Sequence, residues 1–125
     1  MECAAMIVAG FGMRNGTNAT SLRDALRGAA GAHTVQALAT LESKAAMLAP
    51  LADVLNLPLI TLSPDALQRV ATPTQSAASL AAHGSGSVAE AAALIAAGPG
   101  ASLWSPRHVS GDGMATCAIA VGGLA

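Results

Sequence analysis

The chain has no tyrosine, one phenylalanine and one tryptophan, so aromatics make up only 2% of its 125 residues. With so few rings, the core must be assembled from Ala, Leu, Val, Ile and Met. Small side chains of this kind let helices and a sheet approach closely, which suits an α/β layer structure. Charge is equally sparse: six Lys or Arg against seven Asp or Glu, for a net charge of −1. That balance excludes a basic surface for nucleic acid. The two cysteines, Cys3 and Cys117, have no metal-ligand spacing, and each lies in an apolar stretch. They read as reduced, buried thiols, which fits a cytoplasmic location. No uninterrupted apolar run approaches the roughly 18 residues of a membrane span. Glu2 stands where a signal peptide would need basic charge. HExxH, zinc spacings, a nucleophile elbow and the Gly-Lys-Ser/Thr of a P-loop are all missing. No metal, no cofactor and no membrane partner is therefore expected.

What is present is a regular alternation. Ala4 to Ala9 is a short apolar run ending at Gly10 and predicts a buried strand. A helix follows from Thr20 or Ser21 to about Gly31, with Leu22, Ala25, Leu26 and Ala29 on one face. Thr34 to Ala39 predicts the second strand. Thr40 then caps a helix running to about Asn56, with a kink or break at Pro50. Leu57 to Leu62 is the third strand, and Ser63-Pro64-Asp65 starts a short helix ending near Val70. Another short helix is expected over Gln75 to Ala82. Ala101 to Trp104 and Met114 to Val121 are strands joined by a turn from Ser105 to Gly113, so they should pair antiparallel.

Between these lies Gly84 to Gly98, a glycine turn feeding an alanine-rich helix. Ser87 and Glu90, three apart, have the form of a capping box. The helix is apolar all round and must be packed on most of its circumference. The expected fold is a single-domain, three-layer α/β/α structure over residues 1–125. Its sheet has about five strands, mainly parallel, with an antiparallel C-terminal pair.

Ligands of such sheets bind beyond the carboxyl ends of the strands. Arg14, Lys44 and Arg107 each fall just after a predicted strand, whereas Arg23, Arg27 and Arg69 lie on helices. Half of the cations at one sheet edge suggests an anionic ligand, since Arg makes bidentate carboxylate contacts and Lys supplies a point charge. Glu42 can neutralise Lys44 or use the helix dipole, and Glu90 is explained by capping or by acid/base chemistry. His83 and His108 read as loop histidines, and Ser76 and Thr116 as hydroxyl donors at most. Gly10-Phe11-Gly12 invites a dinucleotide-binding reading, but the third glycine falls at Gly16, one position late.

Four segments carry a resemblance. Gly10-Phe11-Gly12-Met13-Arg14, Ala39-Thr40-Leu41-Glu42-Ser43-Lys44, Gly84-Ser85-Gly86-Ser87-Val88-Ala89-Glu90-Ala91-Ala92-Ala93-Leu94 and Thr116-Cys117-Ala118-Ile119-Ala120 occur in order. Their order and spacing resemble the CobE/CbiG C-terminal-domain family of cobalamin (vitamin B12) biosynthesis. Met13 stands where the family often has cysteine, and Arg107 where a lysine is expected. The resemblance implies a free-standing protein that binds a carboxylate-rich precorrin, as carrier or accessory factor of corrin-ring synthesis. It implies a binding set of Gly10, Gly12, Arg14, Thr40, Glu42, Lys44, Gly84, Gly86, Ser87, Glu90 and Arg107. Other cobalamin-biosynthesis enzymes are implied as further partners. The alternative is a precorrin-modifying enzyme related to cobalt-precorrin-5A hydrolase, which opens a lactone, with Lys44 or Glu90 as acid/base group.

Overall fold

The structure, a computed structural model, describes residues 7–14, 16–31, 34–63, 88–98 and 101–122. The expected helices over 64–70 and 75–82, the glycine turn at 84–87, Cys3, Arg69, Ser76 and His83 lie outside the described residues.

The elements are β1 (Ile7–Met13), α1 (Ala19–Ala30), β2 (Ala37–Leu41), a 3₁₀ turn (Glu42–Lys44) and α2 (Ala45–Leu55). They continue with β3 (Leu59–Leu62), α3 (Val88–Ala97), β4 (Ser102–Val109) and β5 (Ala115–Val121). The strands form one sheet in the order β3-β2-β1-β5-β4. β1, β2 and β3 pair in parallel, while β5 is antiparallel to both β1 and β4. This is the mainly parallel sheet with an antiparallel C-terminal pair that the alternation of elements implied.

The period-two alternation of the strands sorts side chains into two layers. Ala9, Phe11, Leu38, Ala115, Cys117 and Ile119 face α1 and α2, where they pack with Leu22, Ala25, Leu48 and Leu51. Val8, Ala37, Ala39 and Leu41 form the opposite core with Ala91 and Ala92 of α3. The chain is thus a three-layer α/β/α structure. Cys117 is fully buried, and desolvation pushes its thiol well above the ordinary range.

Several boundaries differ from the expectations. β1 runs on through Gly10, Phe11 and Gly12, so these residues are strand and not a loop. Packing overrides the weak strand propensity of glycine, because α3 lies directly on them. A Cβ built on Gly10 would stand 2.1 Å from the Ala89 carbonyl oxygen and 2.4 Å from the Ala93 nitrogen. Opposite Gly10 and Gly12 on β5 stand Ala118 and Thr116, also small.

Thr40 is a residue of β2 and not a helix cap; it is fully buried, and its hydroxyl donates to the Phe11 carbonyl at 2.9 Å. α2 continues through Pro50 without a break. Proline there lacks the donor to the Ala46 carbonyl, and the helix runs on with that bond missing. β4 extends to Val109, so Arg107 and His108 belong to a strand and not to a turn. The strand is at the sheet edge and its pairing with β5 is irregular between Leu103 and His108. Edge position and bulging are the conditions under which a strand accepts Pro106.

Candidate functional site

β1 is the point from which the parallel strands spread. β2 and β3 lie on one side of it, and β5 and β4 on the other. β1 and β2 lead to α1 and α2 on one face of the sheet, α3 packs on the other face, and ligands of such sheets bind beyond the carboxyl ends of the strands. Here the chain leaves β1 at Met13, β2 at Leu41 and β4 at Val109.

Arg14 follows β1 directly and is exposed. Glu42, exposed, and Lys44, partly buried, form the 3₁₀ turn that follows β2. The register pairs Gly10 with Ala39, so β1 and β2 leave the sheet side by side. Neighbouring strands lie about 4.8 Å apart, so Arg14 and the Glu42–Lys44 turn share one edge. Arg107 is in β4, two residues before its end, and its side chain lies outside the described residues.

The start of α3 comes to the same edge. A Cβ on Gly12 would be 3.5 Å from Val88 Cβ and 3.7 Å from the Ala89 nitrogen. Thr116, across from Gly12, donates its hydroxyl to the Gly12 carbonyl at 3.2 Å. Glu90 sits in the first turn of α3 and has no exposed surface. A carboxylate there is favoured by the helix dipole. Gly84, Gly86 and Ser87, which precede this turn, fall outside the described residues.

The expected binding residues therefore divide. Arg14, Glu42, Lys44, Gly12 and the first turn of α3 gather at the carboxyl edge. Gly10 is roofed by α3 and cannot touch a ligand, and Thr40 has its hydroxyl committed beneath the sheet.

One group of residues was not anticipated. The turn between β4 and β5 folds against the start of α1. Asp112 accepts hydrogen bonds from the Ser110 hydroxyl (2.5 Å), the Met114 amide (3.1 Å) and, through its other oxygen, the Ser21 hydroxyl. These donors hold its carboxyl down at about 2, with Ser110 contributing most. Asp24 accepts from the Gly111 amide at 2.7 Å. Asn18 caps α1 by accepting from the Ser21 amide at 2.9 Å. The signal was present in the sequence: Asn18 stands three before Ser21, and Ser110-Gly111-Asp112-Gly113 is turn chemistry, with Gly113 at positive φ.

Open depressions flank α1. One of about 560 Å³ is lined by Thr20, Ser21, Arg23, Asp24, Arg27 and Asp112. Its two carboxylates match its two guanidinium groups in charge, and both are engaged by backbone or hydroxyl donors. The other, about 530 Å³, is mostly apolar and lies between α1 and Leu55–Leu57. Neither includes Arg14 or Lys44. Among the described residues no helix is long and apolar enough to cross a membrane.

Comparison with known proteins agrees with this architecture. A family model described as "Cobalamin synthesis G C-terminus" matches residues 7–120. A similar solved structure is that of CobE, a protein from the cobalamin (vitamin B12) biosynthetic pathway. It is 30% identical at a TM-score of 0.87, with 100% of this chain and 96% of that one covered. The cobalamin biosynthesis protein chiG from Agrobacterium tumefaciens str. C58 is 40% identical at a TM-score of 0.71, covering 94% of this chain and 99% of that one. A cobalamin biosynthesis protein G homolog from Sulfolobus solfataricus shares the fold at 18% identity and a TM-score of 0.72, covering 95% of this chain but 37% of that one. No curated protein matches.

Proposed function

The chain belongs to the cobalamin synthesis G C-terminus family and is a cobalamin biosynthesis protein of the CobE/CbiG type; from that premise we propose that it binds a carboxylate-rich precorrin at the carboxyl edge of β1 and β2. The observation that carries this reading is the meeting of Arg14, Lys44 and the first turn of α3 at one sheet edge. Precorrins are flexible macrocycles rimmed with acetate and propionate groups. Such a ligand needs dispersed cations and N–H donors beside an open surface. Arg14 offers a bidentate fork, Lys44 a point charge, and the start of α3 a positive dipole end. Glu42, beside Lys44, limits the net charge and so favours a ligand whose carboxylates are spread out over one whose charge is concentrated.

The same chemistry supports a carrier or accessory role, with other cobalamin-biosynthesis enzymes as the donors and acceptors of the macrocycle. Titration of the purified protein with precorrin intermediates, followed by visible absorbance, tests this. A saturable spectral change is expected, weakened roughly tenfold by Arg14→Ala or Lys44→Ala, as for loss of one charge-assisted contact. Absence of any spectral change with every intermediate would sink the proposal.

Glu90 favours a second reading. It lies with no exposed surface in the first turn of α3, at the same edge as Lys44. On this reading the chain is a precorrin-modifying enzyme, with Glu90 or Lys44 moving the proton. Turnover by wild type that is lost in Glu90→Gln or Lys44→Ala supports it; equal rates in wild type and both variants exclude these residues.

A further inference from the structure

We propose that Asp112 is a positioning residue for Arg14, acting through the β4–β5 turn; this rests on the binding reading above. The chain of contacts is short. Asp112 ties the turn to α1 through Ser21, and ties the turn to itself through Ser110 and the Met114 amide. Asp24 adds a second tie at the Gly111 amide, 2.7 Å away. Ser110 closes the turn onto β5, accepting from the Ala115 amide at 3.1 Å.

The turn so held presents the Met114 carbonyl to the loop after β1. The Arg14 amide donates to it at 2.9 Å. The Thr17 hydroxyl lies between the same carbonyl (3.0 Å) and the Arg14 carbonyl (2.5 Å). Both backbone groups of Arg14 are therefore fixed by the turn or by Thr17, while its side chain is exposed. A cation borne on a pinned backbone loses less freedom on meeting a carboxylate than one borne on a free loop. Asp112 thus contributes to anion binding without facing the anion. It has the sign of charge that direct contact would forbid.

The same clamp explains why α1 does not compete for the ligand. The start of α1 is capped by Asn18 and covered by Asp112, whereas the start of α3 stands at Gly12 on the open edge.

The probe is uroporphyrin, a tetrapyrrole bearing an acetate and a propionate on each ring, with binding followed by fluorescence on the full chain. Asp112→Asn is expected to weaken binding about fivefold in the wild-type background and in Lys44→Ala, and not at all in Arg14→Ala. A coupling confined to Arg14 is what a merely structural role does not produce. Should Asp112→Asn fail to fold, Ser21→Ala removes the tie of Asp112 to α1 and is expected to show the same coupling confined to Arg14. Equal weakening in the Arg14→Ala and wild-type backgrounds overturns the inference. Wild type that does not bind uroporphyrin or any precorrin overturns the binding reading itself, and this inference with it.

Discussion

A methyl group added at Gly10 should cost the fold more than almost any other single carbon. It would stand 2.1 Å from the Ala89 carbonyl oxygen, 2.4 Å from the Ala93 nitrogen and 2.9 Å from Ala93 Cβ, where ordinary contact begins near 3.4 Å. Two of these three atoms are helix backbone, so no flexible tip can swing aside. Relief requires α3 to lift from the sheet by more than an ångström along its contact with β1. Overpacking of this kind costs about 1–3 kcal/mol, and more where backbone must move. The lower entropy of the unfolded alanine chain offsets about 0.4–1 kcal/mol. The net expectation for Gly10→Ala is a loss of about 2 kcal/mol or more. With a urea slope of about 1–3 kcal/mol/M, the unfolding midpoint falls by about 1 M. Gly12→Ala is the internal comparison. Its nearest neighbour is the Thr116 hydroxyl at 2.9 Å, which can rotate once its bond to Gly12 is given up. That variant should lose about 1 kcal/mol, the worth of one hydrogen bond. An unchanged midpoint in Gly10→Ala, or a larger loss in Gly12→Ala, would refute the packing of α3 on β1.

Other expectations follow from other contacts. Gly28→Ala puts a methyl 2.0 Å from His108 Nε2, but that ring is exposed and can swing away, and alanine favours the helix by about 1 kcal/mol; the melting temperature should hold or rise while the His108 ring signals shift by NMR. Asp112 has its carboxyl lowered from 3.8 to about 2, so its contribution is present above about pH 4 and lost as pH falls toward 2. Asp112→Asn should accordingly flatten the acid-unfolding curve between those values, and an unaltered acid limb would contradict the hydrogen bonds to Ser110 and Ser21. Cys117 should resist iodoacetamide in the native protein and react once urea unfolds it, as read by peptide mass mapping; fast native labelling would place the thiol at the surface.

Much of the fold was legible because periodicity and apolar run length are local signals. The all-round apolar character of Val88–Ala97 announced a helix packed on its sheet, and the strand–helix alternation announced the parallel half. Most of the failures are non-local. Gly10 and Gly12 look like a loop until α3 is laid across them. Thr40 looks like a cap until Phe11 offers a buried carbonyl. Ser105 to Val109 look like part of a turn until β4 is known to run on as an edge strand. The candidate site was half legible for the same reason. Arg14, Glu42 and Lys44 follow strands in sequence and so could be placed at the edge by counting. Asp112 reaches Ser21 across a sequence separation of 91 residues, and no spacing rule connects them.

The glycines of β1 give the fold and the site a common cause. A helix that rests on larger side chains is held further above a sheet. α3 descends onto Gly10 and Gly12, with Ala39 and Ala118 beside them. Its first turn is thereby brought down to the level at which Arg14 and Lys44 leave the strands. With larger residues at those positions the sheet and helix could still form, but the dipole end of α3 would be lifted away from the two cations. The three would then no longer meet at one edge, as the proposed site requires. The scarcity of large side chains thus sets how near α3 comes to that edge. It also separates the two helix starts flanking β1: α1, whose Leu22 packs with Phe11, is closed by Asn18 and Asp112, while α3, which packs on glycine, is brought to the open edge.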